Sequence, residues 1–378
     1  MRLNPLIAEL GTYPFTRLDD AKAAGAARGA DLIDFGVGEP REETPAFLRA
    51  ALRDAIGPLA PYPKAVGLPE LRAAIAGWAE RRTGRALDPE AEIIPTLGAK
   101  EVVFHLPQLL AGAAVATTSP GYPVGGRGAR FAGKASVTLP LSPEHGWLPD
   151  PAALTPELMR SLAVLWINTP NNPTGAVAPL ALLATLADRC REFDVVLASD
   201  EAYSELWFSG DAPTSALQLD DLTNVCVVNT LSKRSAMAGY RSGFVAGDAR
   251  LIAALKLYRP SVGVAPQEHV QRAAIAAWND EAHVVAVRER YRAKRDALLP
   301  ALLEHGFRDA GGPGTFFLWL ATPDGERAED CAERLLREHA LVVAPGTFFG
   351  PEGEGYVRVA LVPTVDRCRE AAARLAAT

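Results

Sequence analysis

The sequence predicts an α/β protein, in which a mostly parallel sheet flanked by helices is joined to a smaller α+β unit. Between about residues 90 and 250, short apolar runs rich in β-branched residues alternate with longer helical patterns, which is typical of a parallel sheet covered by helices. After about residue 265 this alternation stops. A long charged helical stretch through Arg295 is then followed by two strand-like runs and a closing helix.

Six apolar runs are the expected strands of the larger unit: residues 114–117, 136–139, 164–168, 195–199, 225–229 and 243–246. Residues 179–193 have apolar positions at helical spacing, and a further helix is expected to open near Thr96 and run through Leu110. In the smaller unit, strands are expected at 315–321 and 356–361, with the closing helix from Val365.

The length of the chain predicts two structural units, because 378 residues exceed what one hydrophobic core usually supports. The expected larger unit spans residues 40–265. The smaller unit combines residues 1–39 with 266–378, so that the chain crosses between the units near residue 40.

The composition excludes several classes of protein. Hydrophobic residues make up 48% and charged residues 22%, which is ordinary for a globular protein, and no apolar run is long enough to cross a bilayer. The N-terminal residues lack the pattern of a secretion signal, so a cytoplasmic location is expected. The net charge of −6 argues against nucleic-acid binding, and the four dispersed cysteines predict free buried thiols without a disulfide or a metal site.

Lys233 is the most informative residue. It lies in Thr230-Leu-Ser-Lys233, directly after a strand-like run, where hydroxyl groups could bind an anion and a buried amine could form an imine with an aldehyde. Arg241 follows eight residues later and adds a cation suited to phosphate. A solvated surface lysine and a surface ion pair are the alternatives for these two residues taken singly.

Three further positions point to the same crevice. Asp200 lies at the carboxyl end of an apolar strand, and ligands bind at the carboxyl ends of parallel strands in open α/β sheets. Its carboxylate could pair with a pyridinium nitrogen. A helix N-cap is the alternative. Asn172 lies in a Pro- and Gly-rich turn and could donate to a ring oxygen. The amides of Ala99 and Lys100 open a helix and could face a phosphate, although a simple capped helix is the favoured interpretation of this segment taken alone.

Taken in this order, these features resemble the fold-type I, class I/II aminotransferases that depend on pyridoxal 5′-phosphate, and the resemblance covers nearly the whole chain. The matching motifs are Asn171-Asn172-Pro173-Thr174-Gly175, Asp200 with Tyr203, Ser232-Lys233, Arg241, and Arg358 within Tyr356-Val-Arg-Val-Ala360. Five separated matches in register are difficult to obtain by chance.

The resemblance implies a role for each of these residues. Lys233 would bind the cofactor and move the proton of the substrate, Asp200 would pair with the pyridine nitrogen, and Arg358 and Gly38 would lie at the substrate carboxylate. Tyr203 and Asn172 would hold the phenolic oxygen of the cofactor, and Tyr122 would stack on its ring. The phosphate would be bound by the amides of Ala99 and Lys100 with Thr230, Ser232 and Arg241.

The resemblance also implies a homodimer, because Tyr62 matches a tyrosine that reaches the phosphate of the neighbouring subunit. Two positions depart from the common pattern of the family. Ala99 replaces a Ser or Thr, which leaves a backbone contact in place of a hydroxyl, and the residues after Tyr122 include Arg127 where a bulky aromatic is frequent.

The segments 97–107, 343–350 and 355–361 look most like those of succinyldiaminopimelate transaminases. That resemblance implies amino transfer between L-glutamate and N-succinyl-2-amino-6-oxopimelate, with small amino and keto acids as the expected partners. The additional carboxylate would need a second cation, for which Lys64, Arg17 and Arg127 are candidates. Aminotransferases for alanine, aspartate or aromatic amino acids and C–S lyases are alternatives on the same scaffold, and a cofactor-binding regulatory module is a remote one.

Overall fold

The computed structural model of the protein describes residues 1–9, 14–27 and 29–377. Its strands are β1 (Ile33–Asp34), β2 (Ile93–Thr96), β3 (Ala114–Ser119), β4 (Ala135–Pro140), β5 (Leu162–Asn168), β6 (Val196–Asp200), β7 (Val225–Thr230), β8 (Gly243–Gly247), β9 (Arg308–Asp309), β10 (Phe317–Ala321), β11 (Leu341–Val342), β12 (Ala344–Pro345) and β13 (Tyr356–Ala360).

The α-helices are α1 (Pro5–Glu9), α2 (Pro14–Ala27), α3 (Ala46–Asp54), α4 (Pro69–Thr83), α5 (Ala99–His105), α6 (Val124–Phe131), α7 (Pro156–Ser161), α8 (Leu180–Glu192), α9 (Leu231–Arg234), α10 (Ala249–Val262), α11 (Glu268–Trp278), α12 (Ala282–Glu304), α13 (Ala328–His339) and α14 (Val365–Ala376). The helix expected to run through Leu110 is shorter, because a 3₁₀ turn at Leu106–Gln108, which contains Pro107, follows α5.

The large sheet has seven strands in the order β2-β8-β7-β6-β5-β3-β4, and only β8 runs against the others. The predicted α/β class with a mostly parallel sheet is therefore confirmed, and each of the six expected strands is present within two residues of its expected ends. Strand β2 was not predicted, because its sequence contains Pro95. Its position at the edge of the sheet tolerates a proline.

The parallel pairing brings the carboxyl ends of consecutive strands to one edge of the large sheet. Asn168 at the end of β5 lies opposite Asp200 at the end of β6, and β7 ends beside them at Thr230. Strands β5, β6 and β7 are buried almost throughout, because helices cover both faces of the sheet. The polar residues that follow these strands consequently share one edge.

A second, antiparallel sheet has the strand order β12-β13-β10-β9. The N-terminal strand β1 pairs in parallel with β11, which directly precedes β12 in the sequence. This pairing joins the start of the chain to its C-terminal third. Helices α12 and α14 supply apolar residues to the core of this region, including Leu298, Leu302 and Leu375. Helix α11, in contrast, packs with α3 and α4 in the core of the large sheet, where Trp278 contacts Trp78.

The four cysteines of the chain are free and buried, as the sequence predicts. Across the described ranges, no helix is long and apolar enough to span a membrane. Within the same ranges, no group of three or more His, Cys, Asp or Glu side chains could hold a metal ion.

Candidate active site

A cavity of about 600 Å³ opens at the carboxyl edge of the large sheet. Twelve of the thirteen site residues expected from the sequence line it: Gly38, Ala99, Lys100, Tyr122, Asn172, Asp200, Tyr203, Thr230, Ser232, Lys233, Arg241 and Arg358. They come from segments more than 300 residues apart in the chain, so the fold has brought them together. The exception is Tyr62, which is fully exposed on this chain.

Lys233 lies in the one-turn helix α9, immediately after β7. Its Nζ donates a hydrogen bond of 2.8 Å to the carbonyl of Gly38, which fixes the amine at the edge of the cavity. Burial is the main effect that lowers the pKa of Lys233 to about 8, and the nearby cations Arg358, Arg241 and Lys100 lower it further, against an opposing effect of Glu39. With this pKa, roughly a fifth of the amine is the neutral nucleophile near physiological pH, far more than for a lysine with the ordinary pKa of 10.5.

Asp200 is buried at the end of β6, facing the cavity. Its Oδ1 accepts a hydrogen bond of 3.1 Å from the backbone N–H of Ala202, in a turn that follows the strand. Asp200 therefore caps a turn, and it is not the N-cap of an α-helix. Burial raises the pKa of Asp200 to about 6, while the hydrogen bond from Ala202 and the charge of Lys233 oppose the rise. A cationic ligand at this carboxylate would therefore be bound strongly.

Arg358 and Asn172 are 186 residues apart and form a hydrogen-bonded pair. The Nη1 of Arg358, on β13, donates to the Oδ1 of Asn172 at 2.9 Å, and its Nη2 donates to the carbonyl of Gly36 at 2.7 Å. Because this Oδ1 accepts from Arg358, the Nδ2 of the same amide is the donor that remains for a ligand. Arg358 is a buried cation at the cavity wall, which suits it to binding a carboxylate.

Two aromatic rings hold the guanidinium of Arg358, and neither was expected from the sequence. Its Cζ lies 4.3 Å from the ring centroid of Phe317 and 4.6 Å from that of Phe349. A Cβ at Gly38 would come within 2.8 Å of the Phe317 ring, so only glycine fits there. The sole signal for these phenylalanines is their place in apolar segments, which does not distinguish them from other core residues.

A second group of residues that line the cavity forms a cradle that could bind an anion. Gly98 has φ +72° and turns the chain into α5, whose first amides belong to Ala99 and Lys100. The Oγ of Ser232 lies 2.9 Å from the Oγ1 of Thr230. The first amides of a helix and paired hydroxyls form the type of site that binds phosphate.

Arg241 fixes its guanidinium beside this cradle. Its Nη1 donates to the carbonyl of Ala238 at 2.8 Å and its Nη2 to that of Leu97 at 3.2 Å. A Cβ at Gly98 would lie 2.8 Å from Nη2, which shows how closely the arginine approaches the start of α5. The cradle therefore combines backbone donors, hydroxyls and a fixed cation.

Two tyrosines line the space between the cradle and Arg358. The Nζ of Lys233 lies 5.9 Å from the ring centroid of Tyr203, and the Nζ of Lys100 lies at the same distance from that of Tyr122. Lys100 thus contributes an exposed ammonium as well as its backbone amide, whereas only the amide was expected from the sequence.

The cations that the sequence offered for a distal carboxylate lie elsewhere. Lys64, Arg17 and Arg127 do not line the cavity of this chain, and Arg17 lies 3.7 Å from Glu329 in an exposed ion pair. Glu39 does line it, beside Gly38, although sequence reasoning did not select it. Because Glu39 directly follows Gly38 in the sequence, its position near the site could have been inferred.

The chain is similar to several known proteins over nearly its whole length. The sequence pattern of the family described as aminotransferase class I and II matches residues 30–375. An LL-diaminopimelate aminotransferase of Nitratidesulfovibrio vulgaris is 36% identical over 99% of this chain and 98% of its own length. A solved aminotransferase from Neisseria meningitidis has a TM-score of 0.91 at 34% identity and covers 99% of both chains. A single mutant of Thermus thermophilus aspartate aminotransferase has a TM-score of 0.91 at 31% identity over 100% of both chains.

The family match spans most of the chain, and the relatives cover it almost completely. Aminotransferases of this class act on amino and keto acids, which agrees with a cavity that combines an amine, a buried carboxylate and a buried guanidinium. The chain therefore belongs to the class I and II aminotransferases, and it is an enzyme that depends on pyridoxal 5′-phosphate.

Proposed function

We propose that this aminotransferase moves an amino group between L-glutamate and an amino acid with the diaminopimelate skeleton, with Lys233 as the residue that binds the cofactor. The observation that carries the proposal is the presence in one cavity of an amine with a lowered pKa, at Lys233, and a buried guanidinium, at Arg358. The amine can react with an aldehyde, and the guanidinium can bind the α-carboxylate of the substrate.

The residues of the cavity fit pyridoxal phosphate. Its phosphate would lie on the amides of Ala99 and Lys100, together with Thr230, Ser232 and Arg241; its ring would lie against Tyr122, and its phenolic oxygen would accept from Tyr203 and Asn172. The bound cofactor supplies an electron sink for the electrons of a broken bond at the substrate Cα. The raised pKa of Asp200 supports this fit, because a carboxylate whose charged form is disfavoured by burial gains from a protonated pyridine nitrogen beside it.

Lys233 performs the proton transfer. Once the substrate has taken its place on the cofactor, the Nζ of Lys233 accepts the proton of the substrate Cα and later returns it. The carbonyl of Gly38 holds this Nζ at the cavity edge by the hydrogen bond of 2.8 Å. Arg358, fixed by Asn172 and Gly36, orients the carboxylate so that the Cα proton faces the amine.

Two forms of the diaminopimelate skeleton are candidates for the second substrate. The sequence resemblance favours the N-succinyl form, whereas the curated relatives carry the name LL-diaminopimelate aminotransferase. Both forms carry a second carboxylate far from the reacting amine. Lys100 supports binding of that group, since its exposed ammonium lines the same cavity near Tyr122.

The proposal includes a homodimer with shared active sites. Tyr62 is fully exposed on the single chain, and Ile56, Leu59 and Leu257 are also exposed, at 65%, 84% and 82%. Large apolar side chains that are exposed on the single chain support an interface with another chain. Tyr62 would then reach the cofactor phosphate of the partner subunit, as the resemblance implies.

We further propose that the chain divides into a larger unit, expected from the sequence at residues 40–265, and a smaller one that combines residues 1–39 with the C-terminal part of the chain. The pairing of β1 with β11 supports assigning the N-terminal segment to the smaller unit. The packing of α11 against α3 and α4 supports extending the larger unit to Trp278.

The deciding experiment is the visible absorbance of the purified protein with pyridoxal phosphate, before and after adding an amino acid. Separate samples receive L-glutamate, N-succinyl-LL-diaminopimelate, LL-diaminopimelate, aspartate or alanine. Loss of the cofactor band is expected to be fastest with glutamate and one diaminopimelate form, and that form is the second substrate. Loss of the band only with aspartate or alanine would contradict the proposed substrate. Absence of any cofactor band would contradict the proposal that Lys233 binds the cofactor. A further sample receives cystathionine, whose Cβ–S bond a C–S lyase breaks; release of ammonia and pyruvate from it without a keto acid would indicate a lyase.

A further inference from the structure

The segment that carries Lys233 has too few residues to hold its own shape. Helix α9 contains four residues, and an isolated helix of that length is unstable. Its N-terminal end is capped, because the Oγ1 of Thr230 accepts from the N–H of Ser232 at 3.1 Å and donates to the carbonyl of Ser242 at 2.9 Å. The C-terminal end must be held by contacts from elsewhere in the chain.

A hydrogen-bonded chain of three side chains provides this contact. The Oγ of Ser235, two residues after Lys233, lies 2.9 Å from the Nε2 of His283, and the Nδ1 of His283 lies 2.6 Å from the Oδ1 of Asp280. The same Oδ1 accepts from the backbone N–H of His283 at 2.9 Å. Asp280 and His283 stand at the start of α12, so the chain joins α9 to that helix.

Arg234 makes a second connection to the same place. Its Nη2 donates to Glu281 at 3.0 Å, and its Cζ lies 4.6 Å from the ring centroid of Trp278. Arg234 is 1% exposed and Ser235 is fully buried. Both residues that follow Lys233 are therefore bound to the junction between α11 and α12.

The protonation of His283 is decided by its surroundings. Burial is the main effect that lowers its pKa, and the charge of Arg234 lowers it further, while Asp280 and Glu205 act in the opposite direction. Phe47 contacts the ring edge-on and carries no charge. A neutral His283 that donates from Nδ1 to Asp280 accepts at Nε2 from the hydroxyl of Ser235, so one tautomer satisfies both contacts.

A nucleophilic role for this Ser-His-Asp arrangement is excluded by burial. The side chain of Ser235 has no exposed surface, so no substrate carbonyl can approach its hydroxyl. The arrangement instead fixes the backbone directly after Lys233.

We propose that Ser235, His283 and Asp280 are positioning residues that hold the Lys233 segment against the start of α12 and thereby set the location of the Lys233 amine. This inference rests on the proposed function, since it concerns the lysine that binds the cofactor. When the contact is lost, α9 loosens at its C-terminal end. The nitrogen of Lys233 then moves toward solvent, which removes the effect of burial that disfavours its charged form. It also moves away from Arg358, Arg241 and Lys100, whose combined repulsion exceeds the opposing attraction of Glu39.

The test uses the cofactor-bound protein and four variants. Ser235→Ala removes one buried oxygen, His283→Leu removes both contacts of the imidazole, and Asp280→Asn keeps an acceptor for Nδ1. His339→Leu is the matched control: His339 is also buried, and its Nδ1, on α13, lies 3.1 Å from the carbonyl of Arg374 on α14. The measurements are the pH midpoint of the cofactor absorbance band and the dissociation constant of pyridoxal phosphate from the apoprotein.

For Ser235→Ala and His283→Leu we expect the pH midpoint to rise by about half a pH unit and the cofactor to bind about 3- to 10-fold more weakly, which corresponds to one buried hydrogen bond. Asp280→Asn and His339→Leu should leave both values near those of the unmodified protein.

An unchanged pH midpoint and an unchanged dissociation constant in Ser235→Ala would overturn the proposal. Ser235→Ala alone is sufficient to test the positioning role if His283→Leu does not fold. An equal change in His339→Leu would also overturn it, because the effect would then follow from general loss of stability. If the unmodified protein shows no cofactor band, the proposed function fails; if it shows one and Ser235→Ala matches it, only the positioning role fails.

Discussion

The lowered pKa of Lys233 leads to a prediction about how the apoprotein takes up its cofactor. An aldehyde reacts with the neutral amine, and the fraction of neutral amine rises with pH through the pKa. The rate at which pyridoxal phosphate attaches should therefore rise with a midpoint near pH 8, rather than near the ordinary lysine pKa of 10.5. Stopped-flow absorbance between pH 6.5 and 10 measures this, and a midpoint near 10 would contradict the surroundings described for Lys233.

Arg358 should be intolerant of a change that keeps its charge. Arg358→Lys removes the hydrogen bonds to Asn172 and Gly36 and the forked contact that a carboxylate requires. We expect kcat/KM for glutamate to fall at least about 30-fold, in keeping with truncation of a buried charged pair. Steady-state kinetics test this, with Arg17→Lys, an exposed arginine away from the cavity, as the control. A loss of less than threefold would argue against carboxylate binding at Arg358.

Asp200 illustrates a conflict between stability and function. Because its folded pKa of about 6 lies above the ordinary aspartate value of 3.8, the folded protein loses stability as the pH rises from about 4 to 6 and the carboxylate becomes charged. Asp200→Asn should therefore stabilise the apoprotein by about 1 to 3 kcal/mol at pH 8, with a smaller gain at pH 5. Chemical denaturation at both pH values measures the difference, and equal gains would contradict the raised pKa.

At the scale of an element, the start of α5 depends on Gly98. Gly98→Ala places a Cβ 2.8 Å from the Nη2 of Arg241 in a backbone with φ +72°. Gly84→Ala is the matched control, since Gly84 has φ +76° at the end of α4 with no atom within 4 Å of the added Cβ. Both changes should reduce stability by about 1 to 2 kcal/mol through the left-handed backbone.

Only Gly98→Ala should also weaken cofactor binding, by about tenfold or more, because it displaces the arginine of the phosphate cradle. Thermal unfolding and the dissociation constant of pyridoxal phosphate, measured on both variants, separate the two effects. Equal affinities for the cofactor in the two variants would show that this end of α5 does not bind the phosphate.

At the scale of the whole molecule, shared sites can be tested by mixing two defective proteins. A Lys233→Ala subunit lacks the amine but retains Tyr62, and a Tyr62→Ala subunit has the reverse defect. A heterodimer of the two contains one site with both defects and one with neither. After subunit exchange, aminotransferase activity should rise toward about a quarter of the unmodified sites, since half of the dimers are mixed. Activity that stays at the average of the two parents would contradict a site shared through Tyr62.

The fold class could be predicted because it depends on local patterns. Buried parallel strands appear as short apolar runs, and polar residues at their carboxyl ends meet at one edge whatever the detailed packing. Asp200, Thr230 and Lys233 therefore occupy the place that the sequence indicates. Strand β2 escaped prediction because Pro95 gives a local signal against a strand, which only its edge position in the sheet overrides.

The sequence by itself thus determined the succession of strands and helices, the edge at which the polar residues collect, and through motif spacing the family of the chain. The tertiary structure alone decided which distant side chains meet: Arg358 with Asn172, Phe317 and Phe349 around the guanidinium, and His283 with Ser235. The physical reason is that helical and strand patterns arise from interactions between near neighbours in the chain. Contacts between residues tens to hundreds of positions apart depend instead on how the completed elements pack.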